Sequence, residues 1–118
     1  RFDDLLNLIP ARLTGLLFTL QAPWWSKPVL PVLEAMRAEA PQHRSPNAGW
    51  PESALAQVLG VSLAGPRQYD AAVVEAPFIN PQGRAPGAQD LQHGLMSYRW
   101  LIYTVVGLLA ITALLQSF

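Results

Sequence analysis

Two clusters of polar side chains carry what chemistry this sequence can do. Ser45-Pro46-Asn47-Ala48-Gly49-Trp50-Pro51-Glu52 lies mid-chain, and Asp3, Asp4, Asn7 and Arg12 lie at the start of an otherwise apolar run. In the octamer, two prolines fix φ and remove two backbone donors. Gly49 permits a close backbone approach that a Cβ would block. Asn47 can bond its own backbone in a turn, and Trp50 offers a large ring with a single N–H donor. Pro51 suits the first position of a helix, which sets Glu52 in the first turn near the positive end of the helix dipole. A stiff loop of this kind presents Ser45, Asn47, Trp50 and Glu52 at a helix start, where a phosphate or another anion binds readily. An ordinary turn that caps a helix has the same composition, and the sequence leaves both readings open.

The first cluster has helical spacing. Asp3 and Asn7 are four apart, and Asp4, Asn7 and Ala11 follow one face. Arg12 sits inside the apolar run, where a charge beside a membrane is costly. Such a residue pairs with a carboxylate or faces a polar cavity. The alternative is an Arg12 that snorkels to headgroups while Asp3 and Asp4 are solvated.

The elements that must position these residues are apolar. Of 118 residues, 51% are hydrophobic and 14% charged, against about 25% charged in an average soluble domain. Eight basic and eight acidic side chains cancel, so no basic surplus argues for a nucleic-acid partner. The absence of cysteine excludes disulfides, thiolate catalysis and Cys-based metal sites. His43 and His93 are far apart and do not make a structural zinc site. The chain opens at Arg1 directly into a helix-like run, which leads to the expectation of a piece of a longer protein.

Trp100 to Phe118 contains no charged side chain. About 20 residues cross a bilayer core, and this run meets that length when Leu95–Tyr98 extend it. Tyr98, Trp100 and Tyr103, with Arg99 among them, form an interfacial anchor at one end. Leu5–Ala22 is a second apolar helix-like run, interrupted by Pro10. Its uncharged part, Leu13–Ser26, is too short to span alone. Insertion as a kinked helix is the preferred reading, and an amphipathic helix lying at the interface is the alternative. Trp24 and Trp25 extend the aromatic belt.

Between these runs the spacing predicts a helix over Val32–Ala40, with Pro31 as its first residue and Pro41 as its stop. A short helix over Glu52–Leu59 follows, with Leu55, Val58 and Leu59 on its buried side and Gly60 just past its end. Val61–Leu63 allows a short extended segment. Asp70–Gln89 has Pro, Gly and Ala but no period, and reads as a loop. The fold class is mainly α: integral membrane helices with a loop and short-helix segment between them, a fragment of a larger multi-helix protein. Its expected divisions are 1–26 (kinked apolar helix, inserted or interfacial), 27–94 (cytoplasmic segment) and 95–118 (transmembrane helix). Lys27, Arg37, Arg44, Arg67, Arg84 and Arg99 place the middle segment in the cytoplasm by the positive-inside rule.

These motifs have a family resemblance. Arg1-Phe2-Asp3-Asp4-Leu5-Leu6-Asn7-Leu8-Ile9-Pro10-Ala11-Arg12-Leu13-Thr14, the octamer, Leu59-Gly60-Val61, Leu63-Ala64-Gly65-Pro66 and Tyr69 resemble the adenosylcobinamide-phosphate synthase family of cobalamin-biosynthesis membrane proteins (CobD/CbiB). The octamer is the more specific part. Pro77–Gln89 departs from the pattern in being longer and richer in Pro and Gly. The chain corresponds to the C-terminal part of what the family uses, so it is expected to hold part of an active site.

The resemblance implies an ATP-dependent amide ligase of the bacterial inner membrane. Adenosylcobyric acid is activated, as an acyl phosphate, and attacked by the amine of aminopropanol phosphate to give adenosylcobinamide phosphate. ATP is the co-substrate and Mg²⁺ accompanies it. The corrinoid is a substrate and not a prosthetic group. The lipid bilayer and other cobalamin-biosynthesis enzymes are the implied surroundings and partners. Such chemistry needs phosphate ligands, carboxylates and a base. On that footing Asp3, Asp4, Arg12 and Glu52 are the candidate catalytic residues. Asn7, Ser45, Asn47, Gly49, Trp50 and Tyr69 are candidates for substrate binding, and Asp3, Asp4 or Glu52 for Mg²⁺ ligation. The rival is a non-enzymatic membrane regulator related to the β-lactamase-induction membrane protein. It shares the helix–Pro–x–Arg–Leu pattern but would lack the octamer.

Overall fold

A computed structural model describes residues 2–43, 45–65, 67–69, 72–74 and 77–118, with 67–69 and 74 described by their backbone alone. The expected roles of Arg1 and Arg44 fall outside the described residues. Helices α1 (Phe2–Leu6) and α2 (Leu8–Leu20) are nearly one helix. Pro10 brings no N–H, so the Leu6 carbonyl one turn back has no helical partner. The chain therefore relaxes into a turn at Asn7 (φ −90°, ψ −1°). Helical bonds continue on either side, from Asn7 N–H to Asp3 O (3.1 Å) and from Ala11 N–H to Asn7 O (3.0 Å). The interruption expected at Pro10 thus appears three residues earlier.

On α2, Gly15, Phe18 and Thr19 face inward, while Ile9, Leu13, Leu16 and Leu20 face outward. Gly15 lets α2 approach α4. A Cβ there would come 2.8 Å from Met36 Sδ and 3.0 Å from Trp50 O. A 3₁₀ turn, Ala22–Trp25, ends at Ser26 with φ 59°. Helix α3 (Val29–Glu39) then starts two residues before Pro31, its expected first residue, with Pro28 at its N-cap and Pro31 inside the first turn. The same happens at α4 (Gly49–Leu59), where Pro51 is third rather than first. The physical reason is common to both. A helix leaves its first N–H groups without intrahelical partners, so a proline anywhere in the first turn costs no hydrogen bond. α4 ends at Gly60, which takes φ 71° as its sequence position anticipates.

The core lies between α2, α3 and α4. Phe18, Met36 and Ala54 form one cluster, and Ala22, Val32 and Val58 another. Leu55 and Leu59 are only half-buried, because they line a groove under α5.

The stretch 70–89, expected as a loop, carries two strands. β1 (Leu63–Ala64) pairs antiparallel with β4 (Phe78–Ile79) in the register Leu63↔Ile79. β2 (Arg67–Tyr69) pairs with β3 (Ala72–Val74) in the register Tyr69↔Ala72. Strands of two or three residues are too short to show a period of two. Ile79 is buried and ties this hairpin to the helices.

Helix α5 (Ala88–Gln116) is, among the described residues, the one helix long and apolar enough to cross a membrane. α2, with 13 residues, is not. Beyond Ser97, α5 exposes its large apolar side chains all round, from Ile102 to Leu115. The lower part meets the block through Leu101, packed on the Phe18–Met36–Ala54 cluster, and through polar and aromatic contacts. Gln21 Nε2 donates to Ser97 O (3.0 Å), Trp24 meets Trp100 edge-on (4.3 Å, 76°), and Trp25 tilts against His93 (4.7 Å). Asp90 pins the helix start by accepting Gly87 N–H (2.7 Å) and both Nη groups of Arg84.

Candidate functional site

The octamer folds into the start of α4, and its backbone donors are turned onto the protein itself. Ser45 Oγ accepts the amides of Asn47 (3.3 Å) and Ala48 (3.2 Å). Trp50 N–H goes to Asn47 O (3.2 Å) and Glu52 N–H to Ala48 O (3.2 Å), while Pro51 has none to give. Gly49 is buried against Ala40 O and His43, where no Cβ fits. Of the N–H groups that would cradle an anion at this helix start, those of Asn47, Ala48, Trp50 and Glu52 are therefore committed.

The side chains divide between two sides of this first turn. Trp50 and Glu52 are two residues apart, which at 3.6 residues per turn is roughly 200° around the axis. On the α2 side, the Arg12 guanidinium lies 4.7 Å from the Trp50 ring centroid, and its Nη1 donates to Leu8 O (2.9 Å). A cation over an indole face is attracted by the ring quadrupole, by about 0.5–1 kcal/mol at exposed sites. The lone charge within the apolar run thus has an aromatic partner rather than a carboxylate.

On the other side, Glu52 Oε2 lies 3.0 Å from His43 Nε2. His43 Nδ1 in turn accepts the Ser45 N–H (3.1 Å). A neutral imidazole carries one N–H. With Nδ1 accepting, the proton belongs on Nε2, aimed at Glu52. The Glu52 side chain is 45% exposed, so it holds one partner and faces solvent.

Between the two sides lies Asn47, 8% exposed. Its Nδ2 donates to Asp4 O (2.8 Å), which ties the octamer to α1. Its Oδ1 is buried and has no partner among the described residues.

The structure therefore gathers the Asp4 backbone, Arg12, Ser45, Asn47, Gly49, Trp50 and Glu52 around one helix start. Asp3 and Asn7 stay exposed on the outer surface of α1 and the turn after it. Tyr69 belongs to β2, and its side chain lies outside what is described. Among the described residues no three of His, Asp and Glu come together as a metal-holding group. Asp3, Asp4 and Glu52 thus do not form such a group of three, and one oxygen of Glu52 faces His43.

Sequence reasoning missed His43, whose only signal is its place just ahead of the octamer. It also missed Glu39. One Glu39 oxygen accepts Ser53 Oγ (2.9 Å) and Gln57 Nε2 (2.7 Å), and the other accepts Asn80 N–H (2.6 Å).

Comparison with known proteins places these motifs. Residues 1–98 match the family model described as CobD/Cbib protein. The chain is 44% identical over 117 residues to the cobalamin biosynthesis protein CobD of Rhodobacter capsulatus, covering 99% of this chain and 36% of that protein. It is 47% identical over 119 residues to the protein of that name from Brucella anthropi (98% and 36%). Against its namesake from Streptococcus sanguinis it is 36% identical over 114 residues (95% and 35%). The chain spans about a third of the length of these relatives. No solved structure matches.

Proposed function

The chain belongs to the CobD/Cbib protein family, and on that premise we propose that it is part of a membrane-bound, ATP-dependent ligase of cobalamin biosynthesis. The reaction joins adenosylcobyric acid to aminopropanol phosphate. One observation carries this reading: the Asp4 backbone, Arg12 and the octamer, all within the family motif, meet at the start of α4, although more than thirty positions separate Arg12 from Ser45.

In this reading ATP activates the corrinoid carboxylate as an acyl phosphate. The amine then forms the C–N bond while the C–O bond to phosphate breaks, and phosphate leaves with the electron pair. Arg12, exposed and held over the Trp50 ring, supplies positive charge toward phosphate groups. Trp50 and Asn47 orient polar and flat parts of the substrate. Asp3, Asp4 or Glu52 would meet the Mg²⁺ that accompanies ATP, a hard cation that would offset phosphate charge. We place α5 across the bacterial inner membrane, with residues 27–94 on the cytoplasmic side where ATP is available. The outer stripe of α1 and α2 faces lipid or other helices of a multi-pass protein. The complete octamer disfavours the regulator reading.

The test is ATP-dependent formation of adenosylcobinamide phosphate by membranes carrying the full-length gene product. Arg12→Ala, Asn47→Ala and Glu52→Ala should each lower turnover at least tenfold in folded protein. Full turnover in all three would remove the helix start from the active site. No turnover and no nucleotide hydrolysis by folded wild type would remove the ligase reading itself.

A further inference from the structure

We propose that the outer stripe of α1 and α2 lies flat on the acyl chains at the membrane surface, with the Arg12–Trp50 pair beside it at headgroup level. This commits the stripe to one occupant, and it rests on the placement of α5 across the membrane. The first support is the pattern. Ile9, Leu13, Leu16 and Leu20 follow at steps of four, three and four, which keeps them within about 60° of one another around the helix. Phe2, Leu5 and Leu6 continue the spacing ahead of the turn at Asn7, and Trp24 follows beyond Gln21. Exposure runs from 39% at Leu16 to 74% at Phe2, so no described side chain covers the stripe.

The second support is the size of these side chains. Helices in membranes pack on one another through small residues, which let backbones approach. On α2 the small residues lie on the other face. Ala11, Gly15 and Thr19 follow at steps of four. Gly15 stands against Met36 and Trp50, and Thr19 Oγ1 lies 3.8 Å from Met36 Sδ. The outer stripe holds only large apolar side chains. It suits acyl chains, and it lacks the small residues that would seat a second copy or a further helix.

The third support is depth. Three contacts set the end of α2 and the turn after it against the start of the uncharged run of α5. Gln21 donates to Ser97 O, Trp24 meets Trp100, and Leu101 packs on the cluster that contains Phe18. Indole rings anchor at the boundary between headgroups and acyl chains, so the stripe begins at that level. It does not descend from there. The 13 residues of α2 reach about 20 Å, short of the roughly 30 Å of a bilayer core. The same helical block also turns Glu34 and Arg37 outward on α3, and immersion would carry charges into hydrocarbon. A helix lying in the interface buries one face alone. Arg12 stands at the rim of the stripe, exposed, with its guanidinium drawn over the Trp50 ring. The candidate site therefore opens at the membrane surface.

The experiment uses the full-length gene product, on a background without other cysteines, in phosphatidylethanolamine–phosphatidylglycerol vesicles. Ile9→Cys, Leu13→Cys and Leu16→Cys receive nitroxide labels, with Glu34→Cys and Leu108→Cys beside them. Access of dissolved oxygen and of a water-soluble nickel chelate to each label gives its depth. Labels at positions 9, 13 and 16 should favour oxygen and share one depth, about 5–10 Å below the headgroup boundary. The label at 34 should stay open to the chelate, and the label at 108 should be the deepest. A depth that changes by about 10 Å between positions 16 and 9, seven residues at 1.5 Å each, means a helix along the membrane normal and overturns the surface placement. Stripe labels closed to both reagents mean that protein covers them, and stripe labels open to the chelate mean water; either result overturns it. A label at 108 outside the bilayer removes the placement of α5 itself, and that failure is thereby told apart from failure of the stripe alone.

Discussion

Two glutamates stand against α4, and their surroundings are opposite. Glu39, at the end of α3, receives three hydrogen bonds from α4 and from the residue after β4. Glu52, in the first turn of α4, has one partner among the described residues and a solvent-facing remainder. A carboxylate whose lone pairs are filled by protein locks elements together and has nothing left for a ligand. A carboxylate held at one oxygen is oriented but unsatisfied. The difference separates a residue that holds the fold from a residue available for chemistry, although the two are the same amino acid, one at the end of α3 and one at the start of α4.

Removing the first glutamate should have the larger effect on stability. Glu39→Ala leaves Ser53 Oγ, Gln57 Nε2 and Asn80 N–H without their acceptor, at about 3 kcal/mol or more in total. A lowered thermal midpoint of the full-length protein in detergent would show it. Glu52→Gln, made beside it, should change that midpoint little while changing turnover. If the two substitutions destabilised equally, the contrast between them would be lost. The next largest effect is at Gly49. Gly49→Ala puts a Cβ against the Ala40 carbonyl and the His43 side chain, at about 1–3 kcal/mol of overpacking. Because it displaces His43, it should weaken turnover as well as stability, which joins the two regions that the glutamates keep apart.

The smallest effect sharpens the scale between them. Asp90, ten residues ahead of the uncharged part of α5, is held down to about 2 by Arg84 first and by the Gly87 amide second. A carboxylate depressed on folding stabilises the fold above its ordinary value near 4 and loses that contribution as pH falls through the folded value. The start of α5 should therefore stay pinned above about pH 4 and loosen between about pH 4 and 2. Arg84→Gln should move the loosening upward. Amide hydrogen exchange at the first turn of α5 measures both. Fast exchange at neutral pH in wild type would show that Asp90 does not hold this turn.

The sequence was most readable where chemistry is local. Gly60 marked the end of α4, the uncharged run marked α5, and the octamer marked the place where distant segments meet. What it hid was tertiary. Pro31 and Pro51 read as helix starts, yet each sits inside a first turn whose unpaired N–H groups make its exact position immaterial. The short strands β3 and β4 carry no period. His43 and Glu39 showed nothing in sequence, because the side-chain partner of His43 lies 9 positions away and the partners of Glu39 lie up to 41 away. The anion cradle expected at the octamer depended on free backbone donors, and Ser45 Oγ takes two of them. No local pattern records that commitment.

The polar contacts of this chain also have a reading in chain entropy. Asn47 reaches back 43 residues to Asp4, Asn80 reaches 41 to Glu39, and Gln21 reaches forward 76 to Ser97. Closing loops of such length costs configurational freedom that grows only slowly with length, by about 0.6 kcal/mol per doubling. Small secreted folds often staple such loops with disulfides. A chain without cysteine closes them with amides and a carboxylate beside its apolar core, so thiol–disulfide exchange has no part in closing these loops.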